Sequence, residues 1–261
     1  MGLGKTAGLL DAIDLKMLEG RDLFPVLVSA PKRVARGVWP AEVTKWDQFN
    51  HFKVQKILGT AKQRIAALKA PRADIYTINY DNLPWLMETL GDKWPFKWVA
   101  PDESTRLQGF RLHGGGVRAA SLAQIAPLPR RWTNLTGTLG AGGLTTLWGQ
   151  YWFLDGGQRL GRTYTQFLDR WFIENQYTHE IREKHGAREE IFAAIADITL
   201  LLRAEDWLPL EKPQEIVIEC DFDPDVRKKY NQMEKEFYVD IGDGIDAMSA
   251  AAKSSKLLQM C

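Results

Sequence analysis

Three groups of residues could do chemistry by type and spacing. The chain opens Met1-Gly2-Leu3-Gly4-Lys5-Thr6. Glycines let backbone N–H groups bend inward around a phosphate, a lysine reaches the β- and γ-phosphates, and the next hydroxyl takes Mg²⁺. Gly2, Gly4, Lys5 and Thr6 supply the second half of that pattern. Read alone, they fit a chance helix opening with an exposed lysine equally well. The second group is Asp102-Glu103, directly after the apolar stretch Phe96–Ala100 and Pro101. A carboxylate at the end of a buried strand can hold Mg²⁺ through water, and its neighbour can orient or deprotonate a water. The bland reading is an acidic pair in a surface turn. The third group is Leu135-Thr136-Gly137-Thr138. Its hydroxyls could sense a γ-phosphate, although in isolation it is an ordinary turn.

The elements that must position these groups alternate in type. Residues 5–19 carry apolar positions at helical spacing, and 24–30 (FPVLVSA) is a short apolar run suited to a parallel strand buried on both faces. Helices are expected over 34–46, 61–69 and 83–90, and strands over 52–58, 74–79, 96–100 and 131–135. Strands separated by helices of this length predict βαβ units and a mostly parallel α/β sheet with helices on both faces. After about residue 140 the pattern turns helical, over 144–154, 164–171 and 188–202. The charged stretch His179–Arg188 reads as an exposed helix or loop. Residues 215–220 predict a strand, and 223–240 and 247–258 helices. A soft boundary falls near residue 207, giving segments 1–206 and 207–261.

Composition sets limits. The 261 residues, 45% hydrophobic and 26% charged, are those of an ordinary globular chain. No apolar run reaches the ~18 residues of a membrane span, and Lys5 and Asp11 interrupt any signal-peptide pattern. Lys and Arg total 34 against 33 acids, so a globally basic nucleic-acid binder is not indicated. Local clusters remain, such as Lys32-Arg33 with Arg36, and each reads first as a solvated face. Cys220 and Cys261 lack disulfide or zinc spacing, which predicts a reducing, cytoplasmic setting. The four histidines are scattered, and the ten tryptophans are read as packing before base stacking.

The three groups in this order resemble the Swi/Snf-type helicase-like ATPases of helicase superfamily 2, in their phage and bacterial form. Met1–Thr6 looks like the end of motif I, and Val28–Arg33 like motif Ia. Asn79-Tyr80-Asp81-Asn82 stands at motif Ib. Asp102-Glu103-Ser104-Thr105 looks like a DEST variant of motif II, and Leu135–Thr138 like motif III. Leu147-Trp148-Gly149-Gln150, Phe153–Gly157 and Leu257-Leu258-Gln259 continue the likeness. The resemblance implies a RecA-like lobe that binds ATP and Mg²⁺ and couples hydrolysis to movement on duplex DNA, independent of sequence. Gly2, Leu3, Gly4, Lys5 and Thr6 would then hold nucleotide, with Thr6 and Asp102 on Mg²⁺. Glu103 would activate water, and Thr136, Gly137 and Thr138 would couple nucleotide state to grip. Pro31, Lys32, Arg33 and Asn79 would lie near the DNA backbone. Three departures stand out. The family's first strand and half-loop would precede Met1, Leu139 replaces a usual proline, and a second RecA-like lobe is absent. Gln158–Arg162 holds letters of an arginine-finger motif but sits between helical segments. The alternatives are a truncated fragment without turnover and a P-loop NTPase or kinase not acting on nucleic acid.

Overall fold

The computed structural model describes residues 3–113, 116–175, 177, 180–202, 206, 216, 221, 223–236, 238–239, 245–246 and 257. The chain forms two compact units, 1–208 and 209–261. The first is an α/β unit built on a five-stranded sheet in the order β2-β3-β1-β4-β5. Its strands are β1 (Val26–Ala30), β2 (Val54–Ile57), β3 (Ile75–Asn79), β4 (Trp98–Pro101) and β5 (Arg131–Trp132), and every pairing is parallel. Parallel strands need crossovers, and helices supply them.

All five residues of β1 and of β3 are buried. This is why β1 reads as a nearly continuous apolar run rather than an alternating one. Successive side chains leave a strand on opposite faces. On one face Val26, Val28, Ile75, Trp98 and Ala100 meet Leu9, Leu10 and Ile13 of α1 (Lys5–Leu18) and Trp39 and Val43 of α2 (Trp39–Lys45). On the other, Leu27, Tyr76, Ile78 and Val99 meet α4 (Leu83–Leu90), α5 (Val117–Gln124), α6 (Leu147–Asp155), α7 (Tyr164–Trp171) and α8 (Ala187–Ile195). Helix α3 (Ala61–Lys69) joins β2 to β3. Thr60 and Gln63 close its N-terminus with a capping box, as Thr163 and Gln166 do for α7.

Four expectations need correction. Residues 181–183 are not helix or loop: Ile181–Glu183 pairs antiparallel with Phe172–Glu174 as a short hairpin. Gly186, at φ 76°, then ends the extended stretch and starts α8. That helix stops at Ile195 rather than Leu202, because Ala196–Ile198 tightens into a 3₁₀ turn and Thr199 turns extended. The helix expected over 34–46 is π-helical at Val34–Val38 before α2. In the second unit, Pro224–Glu236 is helical, whereas Tyr238–Val239, inside the helix expected over 223–240, is a strand that pairs antiparallel with Ile245–Asp246. The strand expected over 215–220 and the helix over 247–258 lie outside the described residues, Ile216 and Leu257 apart.

Helix α6 lies close to the chain that follows β4. A Cβ on Gly149 would stand 2.6 Å from the Leu107 carbonyl oxygen and 2.8 Å from that of Gln108. Both obstacles are backbone, which cannot swing aside. Gly149→Ala is therefore expected to destabilise the fold by about 2 kcal/mol, lowering Tm by several degrees. A thermal melt matching the parent's would refute this close approach.

Candidate nucleotide site

Helix α1 starts at Lys5. Gly4 precedes it at φ 71°, a left-handed conformation that glycine adopts freely. No side chain caps this end, and the first amide bonded within the helix is that of Gly8, to the Gly4 carbonyl. The helix therefore offers unsatisfied N–H groups and the positive end of its dipole at Lys5 and Thr6. Gly2 lies outside the described residues.

The acidic pair stands at the carboxyl end of β4. The Asp102 amide donates to the Ser29 carbonyl at 2.7 Å, prolonging the β4–β1 ladder by one step. Glu103 then leaves the strand at φ 58°, the positive-φ residue other than glycine among the described residues. That conformation costs about 1 kcal/mol or more and is found where surrounding structure imposes it. Its carboxylate meets Lys5, with Nζ to Oε1 at 3.5 Å. Ninety-eight residues separate these partners in sequence.

Asp102 is buried, at 6% exposure. Trp39 Nε1 donates to its Oδ2 at 3.0 Å. Burial holds the Asp102 carboxyl above the usual carboxylate range, and the Trp39 hydrogen bond and the Lys5 charge oppose that shift without cancelling it. The Tyr80 hydroxyl donates to the Asp102 carbonyl at 2.9 Å, and burial pushes its phenol pKa up. Asp102 is thus fixed at backbone and side chain, and the Glu103 backbone adds a hydrogen bond to its carboxyl.

The third group joins the second through backbone. Leu135 bridges Asp102 in parallel register; its amide donates to Pro101 at 2.9 Å, and its carbonyl accepts from the Ser104 amide at 2.8 Å. The Thr138 amide donates to Thr136 Oγ1 at 3.2 Å, and that hydroxyl donates to the Thr138 carbonyl at 3.1 Å. Thr136 therefore spends its hydroxyl on shaping the turn. Beneath it, buried Gln150 of α6 accepts from Ser104 Oγ at 3.1 Å, and its carbonyl accepts from Asn134 Nδ2 at 2.7 Å.

The structure thus gathers Lys5, Asp102, Glu103 and the Leu135–Thr138 turn at the carboxyl ends of β1, β4 and β5. Thr6 lies half-buried one residue into α1. Pro31, Lys32 and Arg33 follow β1 at that same edge, the two cations exposed. Asn79 is buried, and its carboxamide oxygen accepts from Asn82 Nδ2 at 2.6 Å. Arg159 pairs with Asp155 and Asp197 on and behind α6. Sequence reasoning gave no site role to Trp39, nor to Tyr80, Ser104 and Gln150, although the last three lie in the segments that carry the resemblance. A tryptophan on an inward helix face whose N–H must find an acceptor is the one readable signal among them.

Among the described residues no group of three or more His, Cys, Asp and Glu could hold a metal ion by itself, and no helix is long and apolar enough to cross a membrane. A divalent cation here would need oxygens from a bound phosphate besides Thr6 and Asp102. The hard-oxygen character of both groups fits Mg²⁺.

No protein-family model matches the chain. It is similar to protein p41 of Acyrthosiphon pisum secondary endosymbiont phage 1, with 47% identity over 266 residues, covering 100% of this chain and 58% of that protein. The chain therefore spans a little over half the length of this phage relative.

Proposed function

We propose that this chain is the RecA-like, nucleotide-binding lobe of an ATP-driven motor that moves on DNA. One observation carries the reading: a lysine at an uncapped helix N-terminus meets two carboxylates at the end of a buried parallel strand. Each part has a task in phosphoryl transfer. The α1 N-terminus and Lys5 receive the phosphates, favoured by the dipole and the free amides. Thr6 and Asp102 would hold Mg²⁺, which would neutralise phosphate charge when bound. Glu103 takes the proton of the attacking water, and the Leu135–Thr138 turn, hydrogen-bonded to both flanks of the acidic pair, passes the change to the DNA-gripping edge.

In this reading the Lys5–Glu103 pair is a resting contact. Both side chains are about one-third exposed, so the pair contributes at most about 1 kcal/mol. An arriving triphosphate displaces Glu103 from Lys5 and leaves it free to act on water.

Titration calorimetry with Mg·ATP tests this. Lys5→Ala is expected to weaken binding at least tenfold, roughly the loss of one charge-assisted phosphate contact. DNA-stimulated phosphate release that persists undiminished in Lys5→Ala would sink the assignment.

A further inference from the structure

Charge is evenly balanced over the whole chain but not over one side of the sheet. Between Asp47 and Asp74 there is no acidic residue, while Lys53, Lys56, Lys62, Arg64, Lys69 and Arg72 all fall there. Residues 31–41 likewise hold Lys32, Arg33 and Arg36 and no acid. These stretches are β2 with α3, and the π-helical turn after β1. The fold brings them together: Arg36, Gln55, Lys56, Gly59 and Gln63 line one open groove of about 540 Å³ around β2, the edge strand of the sheet.

Three features describe this groove. Several basic residues elsewhere are held in ion pairs: Lys97 and Arg130 with Asp22, Arg118 with Asp81, and Arg159 with Asp155 and Asp197. Lys32, Arg33, Arg36, Lys56 and Lys62 are exposed and make no ion pair among the described residues. Second, the groove has a neutral donor. Gln63 Oε1 accepts from the Thr60 amide at 2.8 Å, which leaves Nε2 to donate. Third, the turn requires glycine at 59: at φ 89°, a Cβ there would stand 2.2 Å from Gln63 Oε1, so a side chain would both strain the turn and displace that amide. Arg36 also lies one helical turn beyond Lys32 and Arg33, so the groove continues the basic edge next to the nucleotide site.

We infer that this groove is a second, sequence-independent docking surface for the phosphate backbone of duplex DNA. Unpaired cations with neutral amide donors bind phosphate oxygens without reading bases. The choice of DNA as partner rests on the motor reading above. The groove extends the contact surface from the carboxyl edge of β1 out to the edge strand.

The test is anisotropy of a fluorescein-labelled mixed-sequence duplex over a series of salt concentrations, with Mg·ATP binding measured on every variant. Arg36→Glu with Lys56→Glu is expected to raise Kd at least about tenfold and to flatten the slope of log K against log salt by about 1 to 2. Arg36→Lys with Lys56→Arg should retain most of the affinity. Lys45→Glu with Arg182→Glu makes the same change in net charge elsewhere and should match the parent. Equal losses in the groove pair and this control pair would overturn the proposal, as would tenfold preference for a single strand over the duplex. Mg·ATP affinity should stay at the parental value in both pairs. Failure of Lys5→Ala to disturb ATP would count against the nucleotide site alone, because the DNA measurement stands without nucleotide.

Discussion

Glu103→Gln is expected to leave Mg·ATP bound while cutting the hydrolysis rate by about 100-fold or more. General-base help from a positioned carboxylate contributes roughly 10²–10⁴ to such a step, and an amide cannot accept the proton. Geometry sharpens the expectation. The Glu103 carboxylate is held off the end of β4 by a left-handed backbone and contacts Lys5. Glutamine has the same length, so the backbone need not change. It also removes the carboxylate that competes with phosphate for Lys5. Nucleotide affinity should therefore equal or modestly exceed the parent's, by no more than the several-fold gain that one partly exposed ion pair allows. Single-turnover release of phosphate in the presence of duplex DNA, beside calorimetric Kd values, separates the two effects. A parental hydrolysis rate in Glu103→Gln would move the base elsewhere. Loss of ATP binding instead would make Glu103 a structural partner of Lys5.

Much of this arrangement is local and therefore legible in sequence. Short apolar runs bounded by polar residues announce buried strands, and the expected helices 61–69, 83–90 and 164–171 form over the same residues. The two Thr-x-x-Gln capping boxes are likewise readable. The position of Asp102-Glu103 beyond β4 followed from where that apolar run stops. What resisted reading are contacts whose partners lie far apart in the chain. Trp39 meets Asp102 across 63 residues, and Ser104 meets Gln150 across 46. No periodicity encodes such pairs, because they arise only when the two helical layers close on the sheet. The hairpin at Phe172–Glu183 failed for a different reason. Its strands are three residues each and largely exposed, too short and too polar for alternation to register against the charged helix pattern.

The buried carboxylate at the centre sets function against stability, and Asp102→Asn tests that opposition. Asp102 has its ionised form disfavoured, chiefly by burial. The folded protein therefore holds this proton more tightly than the unfolded chain does. Such a group stabilises the fold fully at pH below its ordinary value of 3.8, and that contribution is lost as pH rises through the raised folded value. At neutral pH the ionised carboxylate is a cost that the Trp39 N–H and the Lys5 charge only partly offset. Asparagine keeps the shape and an oxygen for Trp39 and carries no charge. Asp102→Asn is thus expected to gain on the order of 1 kcal/mol near pH 7 without ligand, seen as a Tm rise of a few degrees. The advantage should shrink towards zero as the pH falls to about 3, where the parent carboxyl is itself neutral. The same substitution should weaken Mg·ATP binding at least about tenfold, since a neutral amide oxygen is a poorer Mg²⁺ partner than a carboxylate. Differential scanning calorimetry across pH, paired with Mg²⁺-dependent titrations, measures both sides. A lower Tm at pH 7 would show that the charge is a net structural asset, held by Trp39 and Lys5. An unchanged Mg²⁺ dependence would remove Asp102 from the metal site. The two outcomes together, a firmer fold and a lost ligand, are what a carboxylate kept for binding rather than for folding should give.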